Sequence, residues 1–204
     1  MNRNLHLTFL FLVLFVLVWS GINPHDQFTW LLEVLPAIIG IFVLLLTYRR
    51  FQFSNLVYLL IAVHMMILMV GGHYTYAQVP LFNWIRDTFD LSRNHYDRLG
   101  HLAQGFIPAI VSREILLRLS PLRKGKLINF LIICICLAIS ASYEIIEFLV
   151  SVATGTAAEA FLGTQGDIWD TQRDMLMALI GSILALLSLP ILHDKSIANQ
   201  NSGR

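Results

Sequence analysis

The residues able to do chemistry crowd into four short stretches of an otherwise apolar chain. The densest is Gly163-Thr-Gln-Gly-Asp-Ile-Trp-Asp-Thr-Gln-Arg-Asp-Met175, which sets Asp167, Asp170 and Asp174 within eight residues, directly before an apolar run. Spacings of three and four bring such acids to one face of a helix. Like charges that close repel, so a cation, an arginine or a proton has to neutralise them. The second stretch, Ser142-Tyr-Glu-Ile-Ile-Glu147, carries Glu144 and Glu147 at the outer end of a polar helical stripe with Asn129, Cys136, Ser140 and Ser151. The third, Asn94-His-Tyr-Asp-Arg-Leu-Gly-His101, sets Asp97 and His101 one helical turn apart, a spacing that lets two side chains share a ligand. The fourth is Gly71-Gly-His-Tyr-Thr-Tyr76, with His73 at its centre.

Carboxylates with imidazoles suit a divalent zinc, manganese or iron ion. Such an ion would activate water. The expected pocket is therefore His73, Asp97, His101, Glu144, Glu147, Asp167, Asp170 and Asp174, with a divalent metal as its cofactor. The spacing contains no His-Glu-x-x-His, nucleophile elbow, phosphate-binding loop or dinucleotide fingerprint, so no particular reaction is specified. Simpler roles compete. Asp167 as helix N-cap with Asp170 three residues on would satisfy two of the acids. Glu144 and Glu147 could form inter-helix salt bridges or snorkel at the membrane rim. His64, in the middle of an apolar run, reads as a packing residue with at most one hydrogen bond.

Composition dictates what holds these groups. The chain has 204 residues, 56 % of them hydrophobic and only 13 % charged. Its mean hydropathy is +0.67. A soluble domain would carry about twice that charged share. The reading is an all-α, polytopic transmembrane bundle, one domain over 1–192, with spans at about 5–22, 30–48, 55–72, 99–119, 126–150 and 174–192. The first lacks a small-x-small cleavage site and is read as a retained span. The fourth is the weakest, because it contains His101, Arg113 and Glu114. Residues 193–204 are polar and are expected to form a disordered cytoplasmic tail. Cys134 and Cys136, two apart on one helix, point away from each other and cannot pair.

An even number of spans puts both termini on one side. Nine basic residues fall there, namely Arg3, Arg49, Arg50, Arg118, Arg123, Lys124, Lys126, Lys195 and Arg204, against Arg86, Arg93, Arg98 and Arg173 opposite. The basic side is expected to be cytoplasmic. The acids divide the other way, with only Glu114 and Asp194 near the cytoplasm. That outward bias is not required by the positive-inside rule and needs a reason of its own. Below Asp174, the residues Ala178, Gly181, Ala185 and Ser188 form a small-residue seam, which turns the acid face into the bundle. After Pro80, Leu81, Trp84, Ile85 and Phe89 fit either a short amphipathic interfacial helix or a loop with aromatics in the membrane belt.

Three functions fit these features. The first is a metal-dependent enzyme acting on a lipid-like or amphipathic substrate. The second is a proton- or cation-coupled transporter that uses Glu144, His64, Arg113 and Glu114. The third is a non-catalytic structural or partner-binding membrane protein. The bilayer is the expected partner, and nucleic acid is not. The four quoted blocks, the first extended back to Leu162 and the third taken from His95, resemble the YjdF-type family of uncharacterised multi-pass bacterial inner-membrane proteins. The resemblance covers about half of the chain and implies an inner-membrane location. The family carries no established activity, so no catalytic residue is carried over. Asp174 followed by Gly181 on the last helix is loosely similar to VanZ-like membrane proteins.

Overall fold

Hydrocarbon offers the backbone no hydrogen-bonding partner, so a chain this apolar closes its amide bonds within helices. The computed structural model describes residues 3–155 and 164–202, and every regular element among them is helical. In chain order these are α1 (Arg3–Ser20), α2 (Gln27–Thr47), α3 (Asn55–His73), α4 (Pro80–Thr88), α5 (Tyr96–Leu119), α6 (Lys126–Thr154), α7 (Asp170–Ser188) and α8 (Pro190–Ser202). Gly163, Glu159 and Arg204 lie outside the described residues.

Local chemistry marks the ends. Asp26 caps α2, its carboxylate accepting from the Thr29 N–H at 2.6 Å. Gly155 stops α6 with a left-handed φ of 62°, where a side chain would be strained. Pro190 has no N–H to offer, and α8 departs from α7 at 65°.

α1, α2, α3 and α6 are each long and apolar enough to cross a membrane, and the bent α7–α8 pair makes a fifth candidate. α5 lies where the fourth span was expected. At 24 residues it is about 36 Å long, enough for a core of roughly 30 Å, but its composition is too charged to qualify alone. It is instead the central helix, wrapped by α3, α6 and α7. Its closest partner is α7. A Cβ on Gly105 would fall on the Ala178 carbonyl, and one on Gly181 on that of Leu102. The small-residue seam therefore lets two backbones meet directly, down to buried Ala185; Ser188 is exposed and outside it. A second cluster, including Val13, Val34, Ala37, Met65 and Met69, joins α1, α2 and α3.

The polar tail departs from expectation, because it is helical as far as Ser202. His193 is fully buried, with Nε2 donating to Glu114 at 3.0 Å and Nδ1 accepting from Arg113 at 2.8 Å. Gln200 donates to the carbonyls of Gln52 and Phe53 at 2.7 and 3.1 Å. Residues that read as solvated are thus docking groups for the α2–α3 turn and the end of α5. Glu114 also accepts from the Ser54 amide and hydroxyl and from Arg118, so this buried carboxylate is fully partnered.

Candidate functional site

The first task of the fold is to hold the start of α7 against the start of α5. Gln165 does this with its side-chain amide: Oε1 accepts from the Asn94 N–H at 2.9 Å and Nε2 donates to the Asn94 carbonyl at 3.0 Å. Asn94 is fully buried, and its own amide donates to the Val79 carbonyl and to Asn83. The Gln165-Gly166 pair of the lead-in has its reason here. Gln165 and Gly166 take φ of 47° and 84°, a reversal that presents the glutamine amide edge-on to the backbone of the neighbouring segment.

Two arginines from the same segment then claim most of the acids. Arg93 donates to Asp170, to Asp97 at 3.2 Å and to the Thr164 carbonyl at 3.2 Å. Arg98 donates to Asp174, to Asp170 at 2.6 Å and to Asp167 at 3.0 Å. Arg173 adds a bond to Asp167 at 2.6 Å. Asp167 is not the N-cap of α7: Trp169 holds that position, and Asp167 accepts from the Trp169 N–H at 3.0 Å in the turn before it. That bond, then Arg173 and Arg98, holds the Asp167 carboxyl below its usual range.

The remaining acids converge on one nitrogen. Nε2 of His101 lies 3.5 Å from Asp97 Oδ1, 3.7 Å from Glu144 Oε1 and 3.9 Å from Asp174 Oδ1. These oxygens come from α5, α6 and α7. Nδ1 of His101 is 3.0 Å from Gln104 Oε1. An amide oxygen only accepts, so Nδ1 carries the hydrogen and Nε2 presents its lone pair to the carboxylates in the neutral ring.

The spacing is also that of ligand atoms around an ion. Two ligand atoms each about 2.1 Å from a metal, at a tetrahedral angle, lie about 3.4 Å apart. Candidate ligand atoms of Asp97, His101 and Asp174 all lie within 4.8 Å of one another. Glu144 is 8 % exposed, yet its Oε1 has no hydrogen-bond partner among the described residues. An orphaned buried carboxylate oxygen is costly, and a cation removes that cost. Formal charge agrees: Asp97, Glu144, Asp167, Asp170 and Asp174 face Arg93, Arg98 and Arg173, leaving −2 when His101 is neutral.

A cavity of about 140 Å³ adjoins this cluster, with Asp97 and His101 in its wall. Glu147 also lines the cavity. Tyr76 is clamped there between Gly71 and Gly100; a Cβ on Gly71 would overlap its ring. The left-handed φ values of Thr75 and Tyr76, 51° and 54°, reverse the chain sharply after α3 and fold that ring back.

Of the eight expected residues, Asp97, His101, Glu144 and Asp174 meet around one point. Asp167 and Asp170 form the arginine clasp beside it, and Glu147 faces the cavity. His73 is elsewhere: its ring stacks on Trp19 at 4.7 Å, and Nδ1 bonds the Ser20 carbonyl at 2.9 Å, pinning the α1–α2 turn. Sequence reasoning missed Arg93 and Arg98, which it counted only for topology. It also passed over Glu33, Tyr143 and Gln104. Glu33 is buried in α2 and accepts from the Tyr143 hydroxyl at 2.9 Å. An acid inside an apolar run was its available signal, as was the one-turn offset of Gln104 from His101.

Comparison with known proteins agrees with the membrane architecture. The profile of the family described as "Predicted membrane protein (DUF2238)" matches residues 5–195. The inner membrane protein YjdF of Escherichia coli strain K12 is 49 % identical over 182 residues, covering 89 % of this chain and 87 % of the relative. No solved structure matches the chain. With its apolar helices and this match over nearly its whole length, the chain belongs to the DUF2238 family of predicted membrane proteins and is a multi-pass protein of the bacterial inner membrane.

Proposed function

We infer that this protein is a metal-dependent membrane enzyme, with a divalent ion held by Asp97, His101 and Asp174. One observation supports the reading: Nε2 of His101 faces carboxylate oxygens from three helices at 3.5–3.9 Å. Three protein ligands leave an open position, as in catalytic rather than structural sites. A bound ion would lower the pKa of a water there. Glu144, with its free oxygen on the same spot, is placed to accept the proton. Asp174 Oδ1 also accepts from Arg98, and a carboxylate oxygen has lone pairs for both. The substrate is membrane-borne and amphipathic, since the adjoining cavity is embedded among spans.

Metal analysis of detergent-purified protein tests this. Reconstitution with zinc, manganese or ferrous iron gives about one ion per chain, and His101→Ala abolishes it while Arg173→Ala does not. Failure to retain any of the three ions, or equal retention by His101→Ala, overturns the reading.

A carrier would need a polar route across the bundle. Between His101 and Arg113, α5 contributes Ile107, Ala109 and Ile110 to the interior, and Ile132, Cys136 and Ala185 pack around the latter two. This apolar layer separates the outer acids from the Glu114–His193 network and favours an enzyme over a transporter. In the same reading the chain crosses six times, α5 included, with both termini cytoplasmic and the metal near the opposite face. The opposed distribution of basic and acidic residues supports that topology. Reporter fusions after Arg204 and in the α4–α5 turn test it, with the cytoplasmic reporter active only at the first.

A further inference from the structure

The cavity beside the metal cluster has a chemistry that the metal does not use. It lies between α2, α3, α5 and α6, and its wall carries the carboxylates of Glu33, Asp97 and Glu147. No lysine or arginine lines it. Asp97 is answered by Arg93, and Glu33 by the hydroxyls of Tyr143 and Tyr76. Glu147 is 8 % exposed and has no hydrogen-bond or ion-pair partner among the described residues. His64 also lines the cavity, and its Nε2 is buried without a hydrogen-bond partner among the described residues. A buried carboxylate in this condition is expensive unless a proton neutralises it or a cation meets it.

The shape adds a second constraint. Pro36 and Ile139 line the cavity and are also exposed on the outside of the bundle, one near the middle of α2 and the other near the middle of α6. These two helices do not form one of the bundle's main packing interfaces. Above this gap the Tyr143–Glu33 bond at 2.9 Å is a tie between them. Two exposed apolar residues near the middles of these helices therefore border the cavity, where a span would meet hydrocarbon. Its volume of about 140 Å³ is close to the roughly 150 Å³ that holds one benzene ring. A small head group fits inside; an alkyl chain would have to leave between Pro36 and Ile139.

We propose that this cavity binds the protonated amine of an amphiphile, with Glu147 and Glu33 receiving the ammonium and the α2–α6 gap receiving its chain. A carboxylate pair offers an ammonium both charge and acceptors. The phenol rings of Tyr76 and Tyr143, which also line the cavity, suit a cation better than an anion. The inference deepens the enzyme reading by naming a substrate class, but it rests on the cavity and not on the metal. The two therefore fail separately when binding is measured on metal-free protein.

The test is calorimetric titration of chelator-treated protein in detergent with dodecylammonium, dodecanol and ethylammonium, alongside Glu147→Gln. Dodecylammonium is expected to bind at least tenfold tighter than dodecanol, and Glu147→Gln to lose at least tenfold of that affinity. Ethylammonium binding as tightly as dodecylammonium shows that no chain occupies the gap and overturns the amphiphile in favour of a free amine. Tightening with chain length identifies a membrane-borne one. Equal affinity for the amine and the alcohol in the unaltered protein overturns the proposal, and this arm does not depend on the variant folding. Unchanged affinity in a folded Glu147→Gln, judged by an unaltered size-exclusion profile, also overturns it.

Discussion

Gln104 gives the sharpest test of the metal centre, because it touches no metal in the proposed arrangement. Its Oε1 accepts from His101 Nδ1 at 3.0 Å and so turns Nε2 toward the carboxylates. In Gln104→Leu that hydrogen has no acceptor. Metal-free protein can respond by moving the proton to Nε2, where Asp97 receives it at 3.5 Å. Metal-bound protein cannot, so the penalty falls on the bound state. An unmade hydrogen bond by a buried donor costs about 1–3 kcal/mol, which is about a 5- to 150-fold weaker affinity. Outer-shell partners of metal-bound histidines elsewhere cost about 10- to 100-fold, in the same range. Gln104→Glu acts oppositely. A carboxylate acceptor makes a charge-assisted bond and raises the basicity of the ring, so the ion binds more tightly. The assay is competition for zinc against a chromophoric chelator, with wild type and both variants in one detergent at neutral pH. Affinities within twofold of one another, or shifts of the same sign in both variants, refute the reasoning.

Three further outcomes follow from other parts of the fold. Glu114→Ala strands Arg118 and His193 in a buried network. It is expected to cost about 3–5 kcal/mol and to lower the melting temperature in detergent, whereas Lys124→Ala, at the 61 % exposed end of the Lys124–Asp194 pair, leaves it within error. Gly105→Leu forces α5 from α7, at a cost of about 1–3 kcal/mol or more. It should remove metal retention together with the monodisperse size-exclusion peak, because Asp97 and Asp174 lie on opposite sides of that contact. Asp26→Ala removes the α2 cap and costs about 0.5–2 kcal/mol at neutral pH. The Thr29 N–H holds the Asp26 carboxyl below its ordinary value, so its contribution is complete above the unfolded pKa and is lost as the pH falls through the lowered folded one. Melting curves of wild type and variant should therefore converge only below about pH 4.

The family resemblance and the membrane location were legible before any coordinates, because both follow from composition and from blocks of neighbouring residues. So was the grouping within each helix. The one-turn offset between Asp97 and His101, the shared face of Glu144 and Glu147, and the seam below Asp174 depend only on helical periodicity. The docked tail was not legible, since His193, Ser196 and Gln200 show polarity in sequence but not the carboxylate, amide and carbonyls they meet.

What only the tertiary structure decided is which of eight plausible residues share a point. His73 and His101 read alike in the sequence, each a histidine at the end of an apolar run. One stacks on Trp19 to close a turn, and the other stands among three carboxylates. Asp167, Asp170 and Asp174 share a helix face or its approach, yet the two that precede the α5–α7 contact meet Arg93 and Arg98, and the third also reaches His101. That division depends on how closely Gly105 and Gly181 let two backbones approach, and on Gln165 fixing one segment against the other. Periodicity sets directions within a helix. The distance and rotation between helices come from long-range packing, and a site built from α5, α6 and α7 exists only once these are set.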